Sequence, residues 1–278
     1  MYNFPIKLIV TDVDRTTLTD DYRLLPEVID AVARANRAGI IVVAATARSP
    51  KALAPIVRKL GIDAPCVCLN GAWTGSIECA DTSHVHQSEM DPAHVIKLID
   101  DAEALGLNPC WFTATNWYAL SDGALVKREI RATGGKPIIK PQISHLDEPV
   151  LKLLCLEDEL NNIAINSIRD GFDEHFDFTR SDTFLFEITQ KGVSKRTAVS
   201  RLAERLGVQR NNIAAIGDSE NDLEMIKWSG LGIAVGNAQE TVLQAADWTT
   251  KTNNDAGVAH AIDRIIASNI STDKSRKT

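Results

Sequence analysis

The chain has 278 residues, 44% hydrophobic and 24% charged, an ordinary globular composition that excludes disorder as the default state and leaves room for two domains or one large insertion. A formal net charge of −7 and a pI of about 5.4 argue against a nucleic-acid or anionic-membrane partner. No apolar run approaches membrane-spanning length, and Met1 to Lys7 lacks a basic region followed by a cleavable apolar stretch.

The first apolar run, Leu8-Ile9-Val10, reads as a buried strand that ends in Asp12-Val13-Asp14-Arg15-Thr16. A helix is predicted from about Pro26, a favoured first-turn residue, to Gly39, with Val28, Ile29, Val32 and Ala35 on one face. A second strand, from Ile40 to Ala45, leads into Thr46. The next helix places Leu53, Ile56, Val57 and Leu60 on one face and stops at Gly61, and a third strand takes the chain to about Gly71. Cys66 and Cys68 alternate along that strand, as residues of one face do, rather than forming a zinc-binding turn. With five cysteines in all and the others far apart, a reduced, cytoplasmic protein is expected. Continuous apolar runs belong to parallel strands covered on both faces, so this half reads as an open α/β sheet.

From about Gly75 to Glu187 the pattern changes. Short strand-like runs, Cys110 to Thr115, Leu151 to Leu156 and Phe184 to Ile188, mix with helical patterns, which predicts an α+β insertion. The first pattern returns after Gly192. A helix bearing Val199, Leu202 and Leu206 ends at Gly207, then strand Ile213 to Ile216 runs into Gly217-Asp218-Ser219-Glu220-Asn221-Asp222. A helix through Leu223 and Ile226, a strand from Leu231 to Val235, a short strand near Trp248 and a last helix from Val258 complete the chain. The polar tail from Ser268 to Thr278 is expected to fray.

In parallel α/β sheets ligands bind beyond the carboxyl ends of the strands, and Asp12, Thr46 and Asp218 each stand just past one. Asp12 and Asp14 are two apart, so both side chains can project to one side of extended backbone. One carboxylate suits attack on phosphorus, the other protonation of a leaving oxygen and activation of water. Asp218 and Asp222 suit Mg²⁺, which takes a few carboxylates together with water and phosphate oxygens; Ser219 is a fitting N-cap for the helix that carries Asn221 and Asp222. Thr46, followed by Ala47-Arg48-Ser49-Pro50, offers a hydroxyl and backbone N–H groups at a helix start, and Lys195 offers a charge to neutralise a phosphoryl group.

With these segments the chain resembles the haloacid dehalogenase superfamily, in particular its Cof-type, class IIB capped phosphatases. The matching pieces are Asp12-Val13-Asp14-Arg15-Thr16, Ala45-Thr46-Ala47-Arg48, Lys191-Gly192-Val193-Ser194-Lys195 and Gly217-Asp218-Ser219-Glu220-Asn221-Asp222. Asn70-Gly71-Ala72 and Asn254-Asp255-Ala256-Gly257-Val258-Ala259 support them, and the likeness spans nearly the whole chain in the family's order. It implies a Rossmann-like parallel-sheet core, residues 1–74 and 188–278, with an inserted α+β cap, residues 75–187, that determines specificity. It also implies roles. Asp12 is then nucleophile and metal ligand, and Asp14 the acid/base with its backbone carbonyl on Mg²⁺. Thr46, Ala47, Lys195 and Asn221 bind the phosphoryl group, Asp218 ligates the metal and Asp222 supports it.

Two departures stand out, because the family usually has Gly where this chain has Arg15 and Ala47. Glycine there serves unusual backbone angles or close approach. Arg15 is expected either to point outward or to lend charge at the cap interface. Elsewhere, His84 and His86 lack a third metal ligand nearby and read as surface, and Asp100-Asp101-Ala102-Glu103 as a solvated helix face. Trp111, Phe112, Trp117 and Tyr118 read as packing, with a place in a substrate pocket as the alternative. The expected function is a Mg²⁺-dependent phosphatase that hydrolyses a small phosphorylated metabolite, a sugar phosphate or phosphorylated cofactor, through an aspartyl-phosphate. The alternatives are a phosphotransferase or phosphomutase using the same residues, and a non-catalytic sugar-phosphate-binding regulator. The sequence leaves the oligomeric state open.

Overall fold

The structure is a computed structural model that describes residues 4–77, 86–133, 135–156, 162–182 and 185–275. Its first elements are β1 (Leu8–Thr11), α1 (Pro26–Arg37), β2 (Ile41–Ala44), α2 (Pro50–Leu60) and β3 (Cys66–Cys68), in the order that the apolar runs predict. The middle of the chain gives β4 (Trp73–Gly75), β5 (His86–Gln87), α3 (Pro92–Ala104), β6 (Asn108–Phe112), β7 (Trp117–Ala119), α4 (Ala124–Thr133), β8 (Ile138–Ile139), β9 (Lys152–Leu156), α5 (Asn162–Phe172), β10 (Phe176–Asp182) and β11 (Leu185–Gln190). The last third gives α6 (Lys195–Arg205), β12 (Ile213–Gly217), α7 (Glu220–Trp228), β13 (Leu231–Ala234), α8 (Glu240–Ala245), β14 (Trp248–Thr249) and α9 (Gly257–Ser275).

Five strands form a parallel sheet in the order β14-β13-β12-β1-β2, and a bridge from Ala45 to Val67 attaches β3 beside β2. Every residue of β1 and β12 is buried, which is why both read as unbroken apolar runs. From β1 the chain winds outward one way through β2 and β3. From β12 it winds the other way through β13 and β14. Right-handed crossovers in opposite directions put α1 and α2 on one face and α7 and α8 on the other. The winding therefore reverses between β1 and β12, where an α/β sheet opens a crevice.

The second sheet has the order β10-β11-β9-β6-β7-β8 and is antiparallel except between β7 and β8. Side-chain alternation gives it two different faces. Trp111, Tyr118, Leu153, Cys155, Phe186 and Ile188 face a core of their own with α3 and α5. Cys110, Phe112, Trp117, Ala119, Leu154 and Leu156 face the other way and join the cluster that includes the parallel sheet. The inserted α+β cap is thus packed onto the α/β core through one side of its sheet.

Helix α9 continues to Ser275, into the polar stretch that begins at Ser268. Asn269 pins it to the start of the chain: its side-chain oxygen accepts from the Ile6 N–H at 2.9 Å, and its amide donates to the Ile6 carbonyl at 2.8 Å. Residues 276–278, like Cys79 and His84, lie outside the described residues. His86 stands in β5 with Nε2 3.4 Å from Ser88 Oγ. Cys66, Cys68, Cys110 and Cys155 are buried and form no disulfide, and no described helix is long and apolar enough to cross a membrane.

Candidate active site

The site lies at the carboxyl edge of the parallel sheet. Asp12 prolongs β1, its N–H donating to the Ile216 carbonyl at 2.9 Å. Thr46 prolongs β2, its N–H donating to Val67 at 2.8 Å, and Asp218 follows β12. Lys195 is the first residue of α6, which Ser194 caps. A lysine at a helix start is usually solvated. This side chain is instead fully buried, with Nζ 2.6 Å from Asp12 Oδ1 and 2.8 Å from Asp222 Oδ1. Asp222 is also fully buried, and its Oδ2 accepts from the N–H groups of Asp218 and Ser219 at 3.1 and 3.3 Å. The close return of α7 onto β12 needs glycine at 217, since a Cβ there would stand 2.4 Å from Asp222 Cγ.

Burial and crowding shift these groups. Burial pushes the Asp12 carboxyl well above the usual aspartate range; Lys195 opposes this, while Asp222, Asp218 and Asp14 reinforce it. Asp218 is pushed up to about 7, by burial first and Asp222 second, against a 2.9 Å hydrogen bond from Thr16 Oγ1 and the charges of Lys195 and Arg15. Burial pulls Lys195 down, but Asp12 and Asp222 outweigh it and hold the ammonium above the ordinary lysine value.

Asp12, Asp218 and Asp222 each offer a carboxylate oxygen, all within 4.8 Å of one another. Three buried carboxylates against a single ammonium leave an excess of negative charge, and the donor set is all oxygen. That fits a hard divalent cation such as Mg²⁺. The Asp14 carboxylate is elsewhere. Arg48 holds it with both arms, Nε to Oδ2 at 2.8 Å and Nη2 to Oδ1 at 2.5 Å. Asp14 is partly exposed while the guanidinium is buried, and this pairing raises the Arg48 pKa against the effect of burial.

The other expected residues are near but differently engaged. Helix α2 starts at Pro50 with Ser49 as its cap, so the backbone beside Thr46 is a turn, and the Thr46 hydroxyl accepts from the Arg48 N–H at 3.1 Å. The Ala47 carbonyl accepts from Lys152 Nζ at 2.8 Å, a direct tie between the sheets. Asn221 donates to Asn70 Oδ1 at 3.2 Å, and Asn70 in turn donates to Glu187. Glu187 Oε1 pairs with Lys152 Nζ at 3.2 Å, and both side chains are buried. Strand register explains the grouping: Lys152, Glu187, Phe112 and Trp117 fall on the same face of the cap sheet. Sequence reasoning did not single out Lys152, Glu187 or the Arg48 pairing. The available signal was a lone charge in an apolar strand, Leu151-Lys152-Leu153 and Phe186-Glu187-Ile188.

Between the sheets lies a cavity of about 400 Å³, with Asp14 and Arg48 on the core side and Phe112, Trp117, Lys152 and Glu187 on the cap side. That volume suits a small metabolite. The four aromatic residues divide: Phe112 and Trp117, stacked at 5.4 Å, line the cavity, while Trp111 and Tyr118, stacked at 5.4 Å, pack inside the cap. Arg15 sits at φ +57°, the left-handed region that favours glycine. Its side chain is half-exposed and reaches Asp20 at 3.7 Å on the core, while Asn237 donates to its carbonyl at 2.8 Å.

The pattern of the haloacid dehalogenase-like hydrolases matches residues 9–262. The 5-amino-6-(5-phospho-D-ribitylamino)uracil phosphatase YcsE of Bacillus subtilis is 27% identical over 92% of this chain and 94% of its own. The pyridoxal phosphate phosphatase YbhA of Escherichia coli is 26% identical over 92% of this chain and 97% of its own. A haloacid dehalogenase-like hydrolase from B. subtilis, of known structure, superposes with a TM-score of 0.83 at 26% identity, covering 93% of this chain and 99% of that one. With a parallel-sheet core, an inserted cap and a match that runs almost from end to end, the chain belongs to the haloacid dehalogenase-like hydrolases, among their Cof-type capped phosphatases.

Proposed function

We propose that this enzyme hydrolyses the phosphate monoester of a small metabolite through an aspartyl-phosphate on Asp12, with Mg²⁺, and that residues 75–187 act as the cap over the reaction. Strand β11, which ends at Gln190, spans the proposed boundary at residue 187. The observation that carries the reading is a division of labour among carboxylates. Asp12, Asp218 and Asp222 lie buried together beside Lys195, whereas Asp14 is the one of these four aspartates that lines the cavity.

Asp12 attacks phosphorus, the bond to the leaving oxygen breaks, and that oxygen takes the proton of Asp14. Asp14, now a carboxylate, takes a proton from the water that attacks the aspartyl-phosphate, and the bond from phosphorus to Asp12 breaks. Arg48 occupies both Asp14 oxygens, so the pair must loosen for Asp14 to meet a leaving group. Lys195, Thr46, Asn221 and the Ala47 backbone hold the phosphoryl group, with the Lys195 charge already in place beside Asp12. Asp12, Asp218, Asp222 and the Asp14 carbonyl would hold Mg²⁺, which supplies charge neutralisation on the phosphoryl oxygens when bound. Sugar phosphates and phosphorylated cofactors are the candidate substrates; the two relatives above are named for compounds of this size.

The test is phosphate release from hexose and pentose phosphates, pyridoxal phosphate, FMN and acetyl phosphate, with and without Mg²⁺, for wild type beside Asp12→Ala. Mg²⁺-dependent release that falls by roughly four orders of magnitude in the variant is expected. Equal release by the variant would sink the mechanism, and an isomerised sugar phosphate in place of free phosphate would identify a mutase.

A further inference from the structure

The turn between β6 and β7, Thr113-Ala114-Thr115-Asn116, forms part of the cavity wall: Thr115, Asn116 and the following Trp117 all line it. Its internal bonds are few and centre on Thr113, whose N–H donates to the Asn116 carbonyl at 2.9 Å and whose Oγ1 accepts from the Asn116 N–H at 3.0 Å. The remaining polar side chains of the turn converge on one carboxylate from the segment before β9. Glu148 Oε2 accepts from Thr115 Oγ1 at 2.7 Å and lies 2.9 Å from Thr113 Oγ1, whose single proton it shares with the Asn116 carbonyl at 3.1 Å. Glu148 Oε1 accepts from Asn116 Nδ2 at 2.6 Å and from Tyr118 Oη at 2.8 Å.

We infer that Glu148 is a positioning residue: it fixes the turn that shapes the leaving-group wall, and so sets which phosphate esters fit, without touching the substrate. This rests on the reading that the cavity takes the leaving group. The chemistry of the donors supports it. Four side-chain groups around one carboxylate, two to each oxygen, give a charge-assisted cluster. The cluster also runs through the sheet. Tyr118 stacks on Trp111 inside the cap, while Trp117, the next residue along, stacks on Phe112 against the cavity. Glu148 therefore joins the rigid interior of the cap to its working face. Hydrogen bonds from this set hold the Glu148 carboxyl down to about 2, so it stays ionised throughout the neutral range.

Glu148→Gln keeps the shape of the side chain and removes half of its accepting capacity. Tyr118→Phe removes one donor whose ring faces away from the cavity, so any effect on substrates travels through the carboxylate. On the panel above, Glu148→Gln should raise KM by about tenfold or more for some large leaving groups and much less for others. Turnover of acetyl phosphate, whose leaving group is too small to reach the wall, should keep its kcat within about threefold. Tyr118→Phe should move the same substrates in the same direction by a smaller factor, and Glu148→Asp, which retains the charge, should recover part of the loss. A uniform drop across every substrate, acetyl phosphate included, would overturn the inference, as would an unchanged KM. Hydrogen exchange over residues 108–119 supplies a readout that does not need turnover: the amides there should exchange about tenfold faster in Glu148→Gln, and unchanged exchange overturns the positioning role. If wild type releases phosphate from nothing, the phosphatase reading fails by itself, and the exchange measurement still decides the role of Glu148.

Discussion

The two sheets bury charge in opposite ways. At the edge of the parallel sheet, Asp12, Asp218 and Asp222 gather around one Lys195, and their mutual repulsion and burial push Asp12 and Asp218 upward. In the antiparallel sheet the buried pair is matched, Lys152 answering Glu187, and beside the sheet the partly exposed Glu148 is met by hydroxyl, amide and phenol donors that hold it down to about 2. An unbalanced cluster remains receptive to a cation and a phosphoryl group. A balanced one is a fixed shape. On the function proposed above, the core supplies chemistry common to many substrates and the cap distinguishes among them.

That contrast breaks most severely at Lys195. Lys195→Met would leave Asp12 and Asp222 buried without their cation, and is expected to cost about 3–5 kcal/mol in urea unfolding without Mg²⁺ and to abolish turnover of every substrate. An unchanged unfolding midpoint would show that the ion pairs carry no weight. On the cap side, Lys152→Met should cost up to about 3 kcal/mol and raise KM unevenly across the panel, because the tie to the Ala47 carbonyl is lost along with the Glu187 pair. A loss in kcat alone, equal for all substrates, would place Lys152 with the core chemistry instead.

The pH dependence of Mg²⁺ binding sharpens the same point. A carboxyl that titrates at about 7 must lose its proton to bind the ion, so Mg²⁺ affinity should weaken as pH falls below about 7, with protons released on binding. Calorimetric titration at pH 6 and pH 8 in buffers of different ionisation enthalpy checks it, and a pH-independent affinity would contradict the raised value. For the metal-free protein the sign reverses. Asp218 is protonated in the folded state and ionised in the unfolded state between about pH 4 and 7, so this group makes the fold less stable as pH rises through that window. The smallest effect belongs to Arg15→Gly. It relieves a left-handed backbone at the loss of an exposed ion pair, and should raise stability by at most about 1 kcal/mol in denaturant melts. A clear loss of stability would show that the Arg15–Asp20 contact matters more than the backbone angle.

Much of the core was legible because burial on both faces writes a parallel strand as an unbroken apolar run, and because the reactive residues follow those runs directly in sequence. Strand β1 and Asp12 are the clearest case. The contacts that organise the site were less so. Arg48 meets Asp14, Thr16 meets Asp218 and Lys152 meets Ala47 only after folding, across sequence separations of 34, 202 and 105 residues. Helical periodicity and strand alternation describe one element at a time and say nothing of which elements face each other. The last helix from Val258 was legible, but its continuation past Ser268 was not. The composition from Ser268 on is that of a tail, and the pairing of Asn269 with Ile6 joins residues 263 apart in sequence.

One close approach has a wider consequence. Gly71, where the chain leaves the core, is so near Ser194, where it returns, that an added Cβ would stand 2.3 Å from the Ser194 carbonyl oxygen. The excursion between them begins and ends at nearly one point, so the parallel sheet has the same gap to bridge whatever is inserted there. Such an arrangement lets the inserted part be exchanged as a unit while the parallel sheet keeps its register, and on the proposed function a graft of a relative's cap between these two residues is a practical route to a new substrate range.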